Sequence, residues 1–172
     1  MNRLFDTGLE ANAVFSPCRT WRYTLIRKWD TTKPAIAFIG LNPSIANEDR
    51  LDNTTKKCVA WARRDGFGSY VMLNLFGIVS TDPFGIRTAD DPNGPENDAW
   101  IEKTLRQSQT VVFCWGSTYA HILGERIKIV EQITRNTGLT PHCLGVTGGG
   151  FPKHPLYLRN DTRIVPLPGW DK

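Results

Sequence analysis

Four apolar runs divide the chain, and each stops at polar or small residues: Ala35 to Leu41, Tyr70 to Phe76, Thr110 to Trp115 and Pro141 to Val146. Short runs that are apolar at successive positions and bounded by turn residues predict strands buried on both faces. Helical segments fall between them. Asp52-Asn53-Thr54-Thr55 supplies capping side chains for a helix whose apolar face includes Cys58, Val59 and Ala62 and which ends near Gly66. Asn97 or Asp98 caps a second helix to about Gln107, and Gly116-Ser117 leads into a third to about Asn136, with Gly138 just past its end. Residues 77 to 97 read as a loop rich in Asp, Pro, Gly and Asn, long enough to suggest function. Ahead of the first run, residues 14 to 29 alternate apolar and polar around a Pro-Cys turn, as a hairpin does, and Thr31-Thr32-Lys33-Pro34 breaks that pattern.

Strands alternating with helices at this spacing predict an α/β fold: a three-layer α/β/α sandwich with a central, mainly parallel four-stranded sheet, plus the N-terminal hairpin. The whole chain, 1 to 172, reads as a single domain without repeats or linkers. In such sheets ligands bind beyond the carboxyl ends of the strands. Those ends are Gly40 to Ser44, Asn74 to Phe76, Trp115 to Ser117 and Gly148 to Tyr157. An apolar strand running straight into Gly40, Asn42, Pro43 and Ser44 presents side chains at a pocket mouth, although the same residues also build ordinary corners.

Composition narrows the function further. A chain of 172 residues removes roughly 70% of its unfolded surface from water and needs neither metal nor disulfide to hold a core. A formal charge of +4 tilts the partner expectation towards phosphate-bearing ligands. Cys18, Cys58, Cys114 and Cys143 form no CxxC pair, which points away from zinc and iron–sulfur sites and towards reduced thiols in a cytosol. No run approaches the ~18 apolar residues of a membrane span, and the N-terminal residues lack a signal-like apolar run, so the expected location is the cytoplasm, with no membrane partner. The Gly148–Gly150 run lacks the GxxxxGK[ST] spacing of a phosphate loop and reads as a flexible bend. No metal and no cofactor are expected.

Taken in order, the four strand ends resemble the motifs of the uracil-DNA glycosylase superfamily. GLNPS is similar to the first active-site motif in the Asn-bearing form of the mismatch-specific branch, and VMLNLF to the strand whose Asn reads the flipped base. VVFCWGSTYA resembles the strand, Trp-Gly-Ser turn and helix, and KHPLYL the His-Pro segment with catalytic histidine and wedge. The resemblance covers roughly residues 35 to 159 and implies a glycosylase-like fold acting, as a monomer, on DNA with a damaged, mismatched or modified pyrimidine. A closer similarity, with the RRxGF-like helix end, the TDP turn and GPENDAW, links the chain to a bacterial and viral family of unsettled function.

The resemblance implies a role for each residue. Asn42 holds the attacking water, His154 donates to the base oxygen on which charge accumulates, and Asn74 reads the pyrimidine edge, with Gly40, Leu41, Ser44 and Phe76 around the base. The departing pyrimidine takes negative charge, so stabilising that anion is the main catalytic task. Pro43, Ser44, the Gly116-Ser117 helix start, Lys153 and Pro155 are expected along the DNA backbone, and Leu156 and Tyr157 as the wedge that fills the emptied stack. The plain alternatives are a turn residue at 42, a backbone-satisfying amide at 74, a solvated loop histidine at 154 and a core Tyr157. Arg63 and Arg64 read as surface charge at a helix end.

The most active uracil-removing relatives carry an aspartate and an aromatic residue where this chain has Asn42 and Ser44. An amide cannot take a proton from water, so a loop acid, Glu48, Asp49, Asp52, Asp82 or Glu96, is a candidate to assist. Serine leaves the space beside pyrimidine C5 open, which admits C5-substituted bases. Asn74 fits either uracil or cytosine, since a carboxamide donates and accepts. Two other functions fit the same residues: a base- or nucleic-acid-binding module without chemistry, and an N-glycoside hydrolase acting on free nucleosides or nucleotides.

Overall fold

A computed structural model of the chain describes residues 10–44, 51–82 and 84–171. It is a mixed α/β fold built on one sheet of seven strands: β1 (Glu10–Phe15), β2 (Arg22–Lys28), β3 (Ala35–Gly40), β4 (Ser69–Asn74), β5 (Thr110–Phe113), β6 (Pro141–Cys143) and β7 (Val165–Pro166). The spatial order is β1-β2-β4-β3-β5-β6-β7. The four strands expected from the apolar runs form the parallel centre, β4-β3-β5-β6. The expectation of a four-stranded sheet with a separate hairpin is corrected. Strand β2 pairs antiparallel with β4, so the hairpin extends the sheet, and β7 adds an antiparallel edge beyond β6. With only two residues and a proline at an outer edge, β7 carries no alternation that a sequence pattern can reveal.

Side chains alternate across the central strands and both faces are covered. Ile36, Phe38, Tyr70, Met72 and Val112 face α1 (Asn53–Arg64), which contributes Cys58, Val59, Trp61 and Ala62. Ala37, Ile39, Val71, Leu73, Val111 and Phe113 face the opposite cluster. That cluster takes Ile86 from α2 (Phe84–Thr88), Ile101 and Leu105 from α3 (Asn97–Arg106), and Leu123 and Val130 from α4 (Ala120–Asn136). Asp52 caps α1, accepting from the Thr55 N–H at 2.7 Å. A cap contributes about 1 kcal/mol and each fully buried large apolar side chain roughly 1.5–3, so packing places α1 and the cap fixes where it starts.

Several expected boundaries move. The loop 77 to 97 contains α2, and α3 is preceded by Glu96, whose side chain makes no capping bond. Helix α4 starts at Ala120, so Gly116-Ser117 lies in the turn before it and not at its N-terminus. Strands β4, β5 and β6 stop at Asn74, Phe113 and Cys143, although Leu75 and Phe76 still donate to the Gly40 and Leu41 carbonyls.

The connections fix where a crevice opens. From β3 the chain moves through α1 to β4 on one side, then crosses back to β5 on the other and on to β6. The direction reverses between β3 and β5, and their carboxyl ends diverge there.

Candidate functional site

A cavity of about 730 Å³ occupies that crevice, lined by residues from all four central strand ends. Asn42, Asn74 and His154, separated by 32 and 80 positions along the chain, all line it. No sequence-local force gathers them; the parallel sheet does, by placing every strand exit on one edge.

Asn42 is anchored by its own amide. Nδ2 donates to the carbonyls of Pro43 (3.0 Å), Ser80 (3.0 Å) and Ile78 (3.4 Å). Three oxygens around one nitrogen fix the orientation of the amide and leave Oδ1 as the group free to accept from a ligand or water. The same bonds tie the β3 exit to residues 78–80, so the turn-residue role is part of what Asn42 does.

Asn74 ends β4 nearly fully buried, 3% exposed, and its Nδ2 finds no acceptor among the described residues. A buried amide donor without a partner costs about 1–3 kcal/mol, which a ligand acceptor would recover. Gly40 makes room for this amide: a Cβ at that position would lie 3.1 Å from Asn74 Oδ1 and 3.5 Å from Met72 Sδ. The backbone of Asn74 is held from the opposite face of the sheet. Asn97 Nδ2 donates to the Asn74 (3.1 Å) and Leu75 (3.3 Å) carbonyls, and Arg126 Nε also donates to Leu75. Asn97 comes from GPENDAW, which gives that segment a structural purpose.

His154 precedes a 3₁₀ turn, Pro155–Tyr157, and caps it: Nδ1 accepts from the Leu156 N–H at 3.1 Å. An accepting Nδ1 carries no proton, so the neutral ring carries its hydrogen on Nε2. Burial lowers the pKa of His154 from its ordinary 6.5, with the Asp52 carboxylate opposing in part. The result is a neutral donor at pH 7. Gly116 is required beside it, because its φ of +77° is left-handed and a Cβ would meet the His154 Cβ at 3.3 Å.

Helix α1 holds the histidine segment along its length. Lys57 Nζ donates to the Leu156 (2.8 Å) and Leu158 (2.6 Å) carbonyls, Trp61 Nε1 to Asn160 (2.8 Å) and Arg64 to Thr162 (2.7 Å). Positions 57, 61 and 64 share one helix face by their spacing. Arg64 thus braces a loop, beyond the surface role expected of it. Arg63 stacks on Trp29, 4.5 Å from the ring centroid.

Charge in the cavity comes from both signs. Arg22, 3% exposed, lines it, its pKa pushed down to about 10 by burial, with Tyr70 and Asp52 opposing. Asp52 is the one carboxylate among the described lining residues; besides capping α1 it accepts from Ser44 Oγ at 3.1 Å. Cys114 also lines the cavity, but burial raises its thiol to about 12, so it is no nucleophile at neutral pH.

The remaining sequence expectations divide. Gly40, Leu41, Ser44, Gly116, Ser117, Lys153, Pro155, Leu156 and Tyr157 line the cavity with the three residues above. Tyr157 is 89% exposed, which corrects its alternative reading as a core residue. Pro43 and Phe76 do not line it. Pro43 is buried with its carbonyl accepting from Ser80 N, and Phe76 turns into the core cluster beneath α3 and α4. Asp82 and Glu96 also lie outside: Asp82 caps α2 through the Phe84 N–H (2.9 Å), and Glu96 accepts from Trp100 Nε1 (3.3 Å). Glu48 and Asp49 lie outside the described residues. Sequence reasoning missed Arg22, Ser80 and Thr81. A signal existed for Arg22, an arginine at the first position of a strand whose next three residues are buried, but its meaning depended on β2 pairing with β4.

No helix of the described residues is long and apolar enough to cross a membrane. No curated protein and no solved structure matches the chain. A family model matches residues 22–156, a stretch that carries Arg22, Asn42, Asn74 and His154, and the chain therefore belongs to the family described as "Protein of unknown function (DUF1643)".

Proposed function

We propose that the protein is a monofunctional DNA glycosylase of the uracil-DNA glycosylase type. It extrudes a uracil or a C5-modified or mismatched pyrimidine, hydrolyses its N-glycosidic bond and leaves an abasic site, in repair or in defence against modified foreign DNA. The observation that carries this reading is the convergence of an accepting amide oxygen on Asn42, an orphaned amide donor on Asn74 and a neutral Nε2–H donor on His154 in one cavity.

Water attacks the anomeric carbon, the C–N bond breaks with its electron pair going to the base, and the water proton passes to solvent or a nearby acceptor. Asn42 Oδ1 accepts from the attacking water, and Asp52 is the carboxylate within the cavity that can assist. His154 Nε2–H stabilises the departing anion without being consumed, which a neutral imidazole does at pH 7. Asn74 satisfies the pyrimidine edge. Ser44, hydrogen-bonded to Asp52, keeps a small side chain where a bulky one would close the C5 side.

A second reading, a base-binding module without chemistry, draws on the threefold tether of Asn42, since an amide spent on backbone carbonyls serves architecture whether or not catalysis occurs. An N-glycoside hydrolase acting on free nucleosides is separated from both by salt, since a DNA enzyme loses affinity steeply as counterions compete. The deciding experiment uses oligonucleotides that each carry one uracil, one thymine mismatch or one C5-substituted cytosine, cleaved with alkali to reveal abasic sites. Product from at least one member, abolished in Asn42→Ala and His154→Ala, supports the glycosylase; full activity in both variants rejects these roles.

A further inference from the structure

The segment after β4 is still without a role. Its five-residue helix α2 is held firmly: Ile86 is buried at 5% exposure, Asp82 caps the Phe84 N–H, and a Cβ on Gly85 would lie 2.6 Å from Ser80 Oγ. Ser80 and Thr81 line the cavity, and Asn42 ties Ser80 to the first strand exit. Yet this anchored helix leaves Phe84 57% exposed.

Single exposed apolar residues are ordinary and carry no message. The pairing here does. Among the described residues four large apolar side chains are exposed, and the only aromatic ones are Phe84 and Tyr157. Tyr157 lines the cavity from the histidine segment, and Phe84 stands three residues after Thr81, which lines it from the loop after β4. Each aromatic is accompanied by an exposed cation, Arg87 three residues after Phe84 and Lys153 four before Tyr157. Neither cation belongs to any ion pair among the described residues. A partner offering both flat apolar faces and regularly spaced negative charge matches such a rim, and a nucleic acid strand is that partner.

We propose that Phe84 and Tyr157 form a two-sided stacking rim, with Phe84 stacking on a base next to the extruded nucleotide while Arg87 and Lys153 take adjoining phosphates. This rests on the base-extrusion reading above, and adds to the wedge segment a second contact, from the helix that follows the cavity-lining Ser80 and Thr81. Base–aromatic stacking is sequence-tolerant, so the rim grips DNA without choosing the target base.

The test measures binding by fluorescence anisotropy to a labelled duplex holding one stable abasic-site analogue, with 2-aminopurine placed beside that site in a parallel set. Phe84→Ala is expected to weaken binding roughly 10- to 100-fold and to lose 2-aminopurine quenching, with the salt slope unchanged because no charge is removed. Phe84→Trp, which keeps a stacking face, is expected to restore both. Arg87→Gln is expected to lower the salt slope by about 1. Wild-type affinity and quenching in a folded Phe84→Ala protein overturn the rim while leaving the glycosylase reading intact. Absence of DNA binding by the wild-type protein overturns the parent reading and the rim with it.

Discussion

Lys57→Met asks whether the histidine segment is held by helix α1 or by its own turn. Methionine keeps an apolar stem of similar length and deletes the ammonium that bonds the Leu156 and Leu158 carbonyls at 2.8 and 2.6 Å. A hydrogen bond to a charged group contributes about 1.5–3 kcal/mol. The two bonds share one half-buried ammonium, so solvent replaces part of the loss and a total near 2 kcal/mol is expected. Spread over the whole molecule, that lowers the melting temperature by about 4–8 °C. If the segment opens by itself, the same energy appears as about 30-fold faster amide exchange at Leu156 and Leu158, whose N–H groups bond His154 Nδ1 and Pro155 O, both at 3.1 Å. Exchange measured by NMR at neutral pH reads both cases. Unchanged exchange at these two amides, with a melting temperature within about 1 °C of wild type, refutes the idea that α1 positions His154.

Two further outcomes follow from the same geometry. Because burial depresses the His154 pKa below its unfolded 6.5, the unfolded chain binds the proton more readily; the stability this group contributes is fully present above pH 6.5 and is lost as pH falls from there through the folded value. Urea midpoints between pH 7.5 and 5.5 should fall less in His154→Asn, which keeps an acceptor for the Leu156 N–H but does not titrate; an identical fall in both proteins rejects the assignment. Asn97→Leu removes a fully buried amide from the Asn74 and Leu75 carbonyls and should cost about 1–3 kcal/mol by urea denaturation, since Arg126 still serves Leu75 while Asn74 loses this donor.

The proposed chemistry meets its sharpest constraint at Asn42. With Nδ2 bound to three carbonyls, replacing it by Ala frees the loop at 78–80 as well as removing Oδ1, and loss of activity alone does not separate the two effects. Asn42→Asp does, because a carboxylate supplies a base but cannot donate to those carbonyls. Slower base release with normal binding would then point to the architectural role, faster release to the missing base.

Much of the fold and part of the candidate site are legible in the sequence alone. The four central strands were readable because both faces of each are buried, which makes successive residues apolar, and the resemblance of the segments that follow them to glycosylase motifs singled out Asn42, Asn74 and His154. The first helix was readable because Asp52 caps it locally, within three residues of the N–H it satisfies. Phe76 and Pro43 were misplaced for a reason equally local: a strand exit seen in sequence does not say at which residue the chain stops alternating, and both turn inward there. Of the five candidate acids, Asp52 alone among the described residues reaches the cavity, since Asp82 and Glu96 serve the 80–100 segment instead.

What the sequence determined by itself is what neighbours within a few positions set: the four central strands, the Asp52 cap of the first helix, and the residue types at each strand exit. Only the tertiary structure decided that the hairpin joins the sheet beside β4, that Arg22 thereby reaches the cavity, and that Lys57 grips carbonyls a hundred residues away. The physical reason is the range of the forces. Periodicity and capping act along the chain and leave their mark in order, whereas strand pairing and burial act through space, between segments whose separation in sequence carries no trace of their contact.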